Sequence, residues 1–200
     1  MIYLSSDSHF GHVKDFLWRP RGFSSVEEMN EGIIERWNLI VEPDDDVYLL
    51  GDVIMGDISN LDYVRQLNGN LHIIYGNHDS DARIAAYNTL DNVVEGGFGA
   101  RLKYAGRIFY LSHYPTLTSN TDDEQKPLKR RVFNLCGHSH TQDRFCDMKK
   151  GFFVDEIWSY GLANSYYHAQ IWEDGALDSV EISPKMFKDY LTVNDGENFK

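Results

Sequence analysis

Five short apolar runs in this chain stop at a residue able to ligate a cation or move a proton, and that pattern restricts the fold more than any other feature. Ile2-Tyr3-Leu4 leads into Asp7-Ser8-His9, Val47-Tyr48-Leu49-Leu50 into Gly51-Asp52, and Leu71-His72-Ile73-Ile74-Tyr75 into Gly76-Asn77-His78-Asp79. The run ending at Leu111 leads into Ser112-His113, and Val132-Phe133-Asn134-Leu135-Cys136 into Gly137-His138-Ser139-His140. Short apolar runs bounded by turn residues read as buried strands. In open α/β sheets the carboxyl ends of such strands are where ligands bind, so the five endings can converge on one place. A glycine before three of the motifs permits a tight turn out of the strand.

The segments between the runs fit an α/β arrangement. Val26, Met29, Ile33, Trp37 and Ile40 recur at helical spacing. Ser24 or Ser25 can cap that helix, Glu27 or Glu28 can complete a capping box, and Pro43 marks its end. Leu61, Val64 and Leu67 suggest a second helix stopped near Gly69, and residues 84–90 a third. Further along, Arg101–Tyr104 and Arg107–Leu111 flank Ala105-Gly106 as a hairpin, and His168–Trp172 and Ala176–Ile182 flank Asp174-Gly175 as another. Strand–helix alternation followed by hairpins predicts an α/β sandwich of two mixed β-sheets flanked by helices. The polar stretch 116–129 reads as a long loop, and 194–200 as a frayed end.

With 200 residues, a single domain over 1–200 is expected, its motifs within 7–140 and its C-terminal strands and tail in 141–200. No run approaches the ~18 apolar residues of a membrane helix, and the N-terminus lacks the basic and apolar regions of a secretory signal. Two cysteines, Cys136 and Cys146, cannot form a disulfide scaffold, and a cytoplasmic location is expected. The net charge of −12 disfavours a passive nucleic-acid binder.

Carboxylates and imidazoles together suit Mn, Fe, Zn or Ni better than Ca. Five of the eight histidines fall in the five motifs. Asp-x-His alone means little, but Gly-Asn-His-Asp arises by chance in only about one in a thousand chains of this length. The ordered set Asp-x-His, Gly-Asp, Gly-Asn-His-Asp, His, Gly-His-x-His resembles the calcineurin-like metallophosphoesterase superfamily, over Ser6 to His140. The resemblance implies that Asp7, His9 and His140 hold one divalent metal ion and Asn77, His113 and His138 a second, with Asp52 bridging both. It makes His78 the catalytic histidine near the leaving group, with Asp79 orienting its ring. Two divalent ions about 3.5–4 Å apart can generate hydroxide at neutral pH and clamp phosphoryl oxygens. The implied activity is hydrolysis of a phosphomonoester or phosphodiester, small or nucleotide-like, by a metal-bridging hydroxide, with manganese the first choice of metal.

Gly51-Asp52-Val53-Ile54-Met55-Gly56-Asp57 lacks the Asp-Arg-Gly of protein phosphatases and dinucleoside tetraphosphate hydrolases. The opening Asp7–His12 and the segment Arg19-Pro20-Arg21-Gly22-Phe23 look instead like compact bacterial and phage-encoded members. His12, Arg19 and Arg21 are candidate substrate-binding residues, with a supporting role for His12 and exposed loop positions for the arginines as the competing readings. Lys126, Lys129, Arg130 and Arg131 form a basic cluster that reads as a solvated loop. Were it a nucleic-acid surface, the chain would be a nuclease. A scaffold of the same fold would dispense with His78, which is present. His72 and His168 read as packing residues and Cys136 as a buried thiol.

Overall fold

In a computed structural model, the structure describes residues 1–104, 107–114, 132–138, 145–147 and 167–170. A first sheet pairs β1 (Ile2–Ser5), β2 (Asp46–Leu49), β3 (Asn70–Ile74) and β4 (Val93–Gly97) side by side, all parallel. Parallel neighbours need a crossover. Between β1 and β2 it contains α1 (Asp15–Trp18) and α2 (Val26–Ile40). A 3₁₀ turn (Ile58–Asn60) with α3 (Leu61–Val64) connects β2 to β3, and α4 (Asp81–Tyr87) connects β3 to β4.

The second sheet is mixed, in the order β5 (Ala100–Tyr104), β6 (Arg107–Ser112), β7 (Val132–Cys136), β9 (Tyr167–Gln170), β8 (Phe145–Asp147). β5 and β6 form the expected hairpin, with Tyr104 opposite Arg107. β6 and β7 run parallel, as do β7 and β9, while β8 is antiparallel to β9. β9 covers part of the hairpin expected over 168–182. The rest of that hairpin, the loop 116–129 with its basic cluster to Arg131, and the tail lie outside the described residues.

Helix α2 follows its sequence pattern. Ser25 caps it, its hydroxyl accepting the Glu28 N–H at 3.1 Å, while the Glu28 carboxylate accepts the Ser24 N–H at 2.7 Å. Met29, Ile33 and Trp37 are buried, in one core with Tyr3, Val47, Leu49, Leu71 and Ile73 from a single face of the first sheet. Val26 packs at the margin of that core and Ile40 is exposed, so the apolar stripe fades at both ends. Side chains alternate along a strand. Leu4, Leu50 and Ile74 therefore lie on the opposite side, and they are buried too, as are Phe109, Leu111 and Leu135 of the second sheet. Both sides of the parallel sheet are thus covered, as such sheets require.

α1, β4 and α4 depart from the sequence pattern, and β8 has no counterpart in it. One-turn α1 is too short to carry periodicity. β4, Val-Val-Glu-Gly-Gly, ends in two glycines and has little strand character of its own. α4 begins at Asp81 rather than near Ile84, because Ile84 and Tyr87 supply its inner face and the first turn is polar. His72 packs as expected: its ring stacks on Tyr48 at 4.5 Å and lies between Glu95, at 2.8 Å, and Asp46, at 3.2 Å. Cys136 is buried.

Trp37 ties the core to the turn before β3, its indole N–H donating to the Asn68 carbonyl at 2.9 Å. Trp37→Ala should lower unfolding stability by about 3–5 kcal/mol, the usual cost of deleting a buried aromatic, read as a fall in the urea midpoint at constant slope.

Candidate metal centre

The carboxyl ends of β1, β2 and β3 lie at one edge of the first sheet, and β6 and β7 bring theirs to the same place. The Asp7 N–H donates to the Gly51 carbonyl at 2.9 Å, joining the first two endings. The Gly137 N–H donates to the His113 carbonyl at 3.0 Å, joining the last two. The sheets are stitched together where His113 Nδ1 donates to the Leu50 carbonyl at 2.8 Å and the His138 N–H donates to Asp7 Oδ2 at 3.0 Å.

Backbone conformation marks the site independently of the side chains. Among the described residues, the non-glycine positions with positive φ are Asp7 (53°), His9 (51°), Asp52 (54°) and His138 (79°), each a ligand candidate from sequence. Such conformations cost on the order of 1–3 kcal/mol each and persist only where the surroundings impose them. Gly51, at φ 95°, makes the tight turn expected of it. Gly76 and Gly137 are needed for room instead: a Cβ would sit 2.3 Å from Asp52 Oδ1 at Gly76 and 2.4 Å from Asp7 Oδ2 at Gly137.

Ligand atoms of Asp7, Asp52 and His113 all lie within 4.8 Å of one another, and all three residues are buried. Asp52 is central. Its Oδ2 is 3.5 Å from His113 Nε2, 3.9 Å from His9 Nε2 and 3.9 Å from His78 Nε2. On one side His9 Nε2 is 3.7 Å from Asp7 Oδ1. On the other, Asn77 Oδ1 lies 2.8 Å from His113 Nε2 and 3.0 Å from His138 Nδ1, and those two nitrogens are 3.2 Å apart.

The donor set fits a cation. Because His113 Nδ1 gives its proton to a carbonyl, the neutral ring presents a lone pair at Nε2. That lone pair faces the Asn77 oxygen and the Asp52 carboxylate, which are acceptors. Acceptors turned toward one another are what a metal ion holds together. Burial pushes Asp7 up to about 6, against the hydrogen bonds of the Ser6 hydroxyl and the His138 N–H, which pull it down. Burial also raises Asp52 above the ordinary carboxylate range, and lowers His138 below that of an imidazole. A bound dication would offset the cost of keeping these carboxylates charged out of water. His140 lies outside the described residues.

His78 stands at the open side, its side chain 44% exposed and its ring 5.6 Å from that of His9. Its backbone N–H donates to Asp52 Oδ1 at 2.8 Å. Asp79 departs from the expectation. Its carboxylate accepts the N–H groups of Gly76 at 2.8 Å, Asp52 at 2.9 Å and Val53 at 3.4 Å, and the Tyr87 hydroxyl at 2.7 Å. It braces the endings of β2 and β3 against each other instead of orienting the His78 ring. Burial and the Asp79 charge push the Tyr87 phenol well above its ordinary range, so it serves as a fixed donor.

Arg21 departs as well. Its guanidinium is buried and donates to the Asp7 carbonyl at 2.8 Å and the Ser8 carbonyl at 3.1 Å, gripping the first ligand loop from behind rather than meeting substrate. Arg19 is an exposed residue paired with Asp15 at 3.3 Å and lying over the Trp18 ring. His12 sits at the rim, 5.6 Å from the His9 ring, with Nδ1 accepting the Lys14 N–H at 3.3 Å. Burial lowers its pKa below the usual imidazole range. Three contributors had no sequence signal: Ser6, whose hydroxyl bonds the Asp7 carboxylate, Tyr87, and Arg83, which donates to the carbonyls of His78 and Gly56.

The brace is testable by a double-mutant cycle. Asp79→Asn turns a donor toward N–H groups and should cost about 1.5–3 kcal/mol, and Tyr87→Phe about 1 kcal/mol. The double variant should lose less than the sum of the two in urea unfolding, because each substitution removes the shared bond.

Residues 1–154 match the calcineurin-like phosphoesterase superfamily domain. An uncharacterized protein of Methanocaldococcus jannaschii is 41% identical over 145 residues, covering 70% of this chain and 69% of its own. The gene 66 protein of Mycobacterium phage L5 is 28% identical over 161 residues, covering 70% of this chain and 77% of its own. The crystal structure of AQ665, a protein of unknown function from Aquifex aeolicus, superimposes with a TM-score of 0.51 at 23% identity, over 70% of this chain and 80% of that one, a likeness of fold.

Proposed function

This chain belongs to the calcineurin-like phosphoesterase superfamily, and from that premise we propose that it hydrolyses a small or nucleotide-like phosphate ester at a dinuclear metal centre. The observation that carries the reading is the buried meeting of Asp7, Asp52 and His113, with Asp52 midway between the His9 and His113 sides. Asp7 and His9, with His140, would hold one ion. Asn77, His113 and His138 would hold the other, and Asp52 would touch both. Manganese is the first candidate, with Fe, Zn or Ni suited by the same donors. When bound, two such ions supply Lewis acidity toward phosphoryl oxygens and lower the pKa of a water nucleophile.

The chain's own groups do the rest. Asp7 and Asp52 carry two negative charges against four on a pair of dications, and Asn77 is neutral, so the loaded site keeps a positive excess that attracts phosphate. His78 presents an accessible ring beside the centre and can pass a proton to the departing alkoxide. Arg83 and the Asp52 carboxylate hold His78 through its backbone, leaving the ring to the leaving group. No described helix is long and apolar enough to cross a membrane, and a cytoplasmic setting belongs to this reading.

Asp52→Asn removes the central charge, so elemental analysis should show metal loss together with loss of turnover. Two retained ions in an active variant would refute the assignment. His78→Ala should keep its metals yet lose about 10²–10⁴-fold in kcat on an alkyl ester, where the leaving oxygen needs a proton. The loss should be smaller with nitrophenolate as leaving group, and an equal loss on both substrates would remove His78 from the proton-transfer role.

A further inference from the structure

Among the described residues outside the ligand candidates, Tyr114 sets an exposed aromatic ring directly against the cluster. Tyr114 follows His113 at the end of β6 and remains 46% exposed although its ring is a large apolar surface. The ring lies 4.6 Å from that of His138 and 5.0 Å from that of His113, inclined at 62° and 73°. Its backbone is held by the Ser112 hydroxyl, which donates to the Tyr114 carbonyl at 2.7 Å. A second exposed ring, Phe16, stands beyond the other end of the cluster. Among the described residues, it reaches the site through His12, at 5.3 Å, which in turn meets His9 at 5.6 Å. Asp52 lies between the His9 and His113 sides.

We propose that Tyr114 is the platform of an aromatic subsite that stacks the planar ring on the non-leaving side of the ester, so that the substrate is a nucleobase-bearing phosphoester. The inference rests on the phosphoesterase reading for where the phosphoryl group sits. Tyr114 touches the rings of two ligand candidates, so a base stacked on it stands beside the centre with the sugar left to span to the phosphoryl group, whereas Phe16 is a full imidazole further out. A fixed aromatic platform gives up little conformational freedom on binding. Stacking tolerates any base, because each has a π face. The net charge of −12 opposes the long backbone of a polynucleotide and leaves a single phosphoester as the better match.

The test uses the manganese-loaded protein and two diesters with the same leaving group: thymidine 5′-(p-nitrophenyl phosphate) and methyl p-nitrophenyl phosphate. The wild type should prefer the thymidine ester by about tenfold or more in kcat/KM. Tyr114→Ala should bring the ratio of the two toward one, chiefly through KM. Tyr114→Phe should restore it, and Phe16→Ala should move it far less than Tyr114→Ala. A wild type that treats the two esters alike, or a ratio untouched by Tyr114→Ala with metal content intact, overturns the proposal. Hydrolysis of neither ester by the wild type overturns the phosphoesterase reading instead. Calorimetric titration then decides the subsite separately: tenfold tighter binding of thymidine 5′-phosphate than of methyl phosphate, lost in Tyr114→Ala, supports it, and equal binding overturns it.

Discussion

Two carboxylates, Asp7 and Asp52, are buried side by side, and much of the structure around them serves to make that arrangement tolerable. Neither would be stable there as an isolated anion, because burial raises the pKa of both. The protein supplies backbone N–H groups first: His138 to Asp7 and His78 to Asp52. These donors come from different strand endings, so the bonds that soften each charge also fix how the endings meet. Neutral imidazoles complete the surroundings and contribute lone pairs rather than positive charge. The result is a polar, water-poor cluster whose remaining electrostatic demand is for a cation.

Strain and bracing are two sides of that requirement. Asp7, His9, Asp52 and His138 hold left-handed backbone conformations that ordinary side chains avoid. Four such residues represent on the order of 4–12 kcal/mol of unfavourable backbone energy, comparable with the net stability of a whole domain. The groups that oppose it lie immediately behind the ligands. Arg21 grips the carbonyls of Asp7 and Ser8, and Asp79 gathers three N–H groups with the help of Tyr87. Each is a charged group spent on backbone and buried where substrate does not reach. A charged residue beside the site is therefore better assigned by what its atoms touch than by its proximity.

This distinction separates what the sequence could reveal from what it could not. Strand endings were legible because the chemistry needs particular residue types at the carboxyl edge, and because a buried parallel strand leaves an unbroken apolar run such as Val47 to Leu50. Helix α2 was legible because its periodicity and cap agree. The brace was not. An Asp after His78 serves equally well for orienting a ring or for collecting amides, and only the position of Tyr87 on the inner face of α4 decides between them. Arg21 has the same ambiguity: a guanidinium binds a phosphate or a pair of carbonyls with the same fork. β4 was hidden because its two glycines leave it little strand character of its own, and its contacts with β3, among them Glu95 with His72, come only with the fold.

Exposure divides the cluster into a buried side and an open side. Asp7, His9, Asp52 and His113 are all buried, whereas Asn77, His78, His138 and Tyr114 are exposed. The exposed four come from the endings of β3, β6 and β7, so an incoming phosphoryl group meets the structure on the side where the two sheets join. The groups already inside cannot move without breaking the hydrogen bonds that tie β1 to β2 and one sheet to the other. Of those on the open side, His78, His138 and Tyr114 are held through their backbones, and the rings of His78 and Tyr114 are left available. Rigidity is thus concentrated where charge must be held in place, and accessible side chains where a bond is to be broken, which is the division that hydrolysis at a preorganised centre requires.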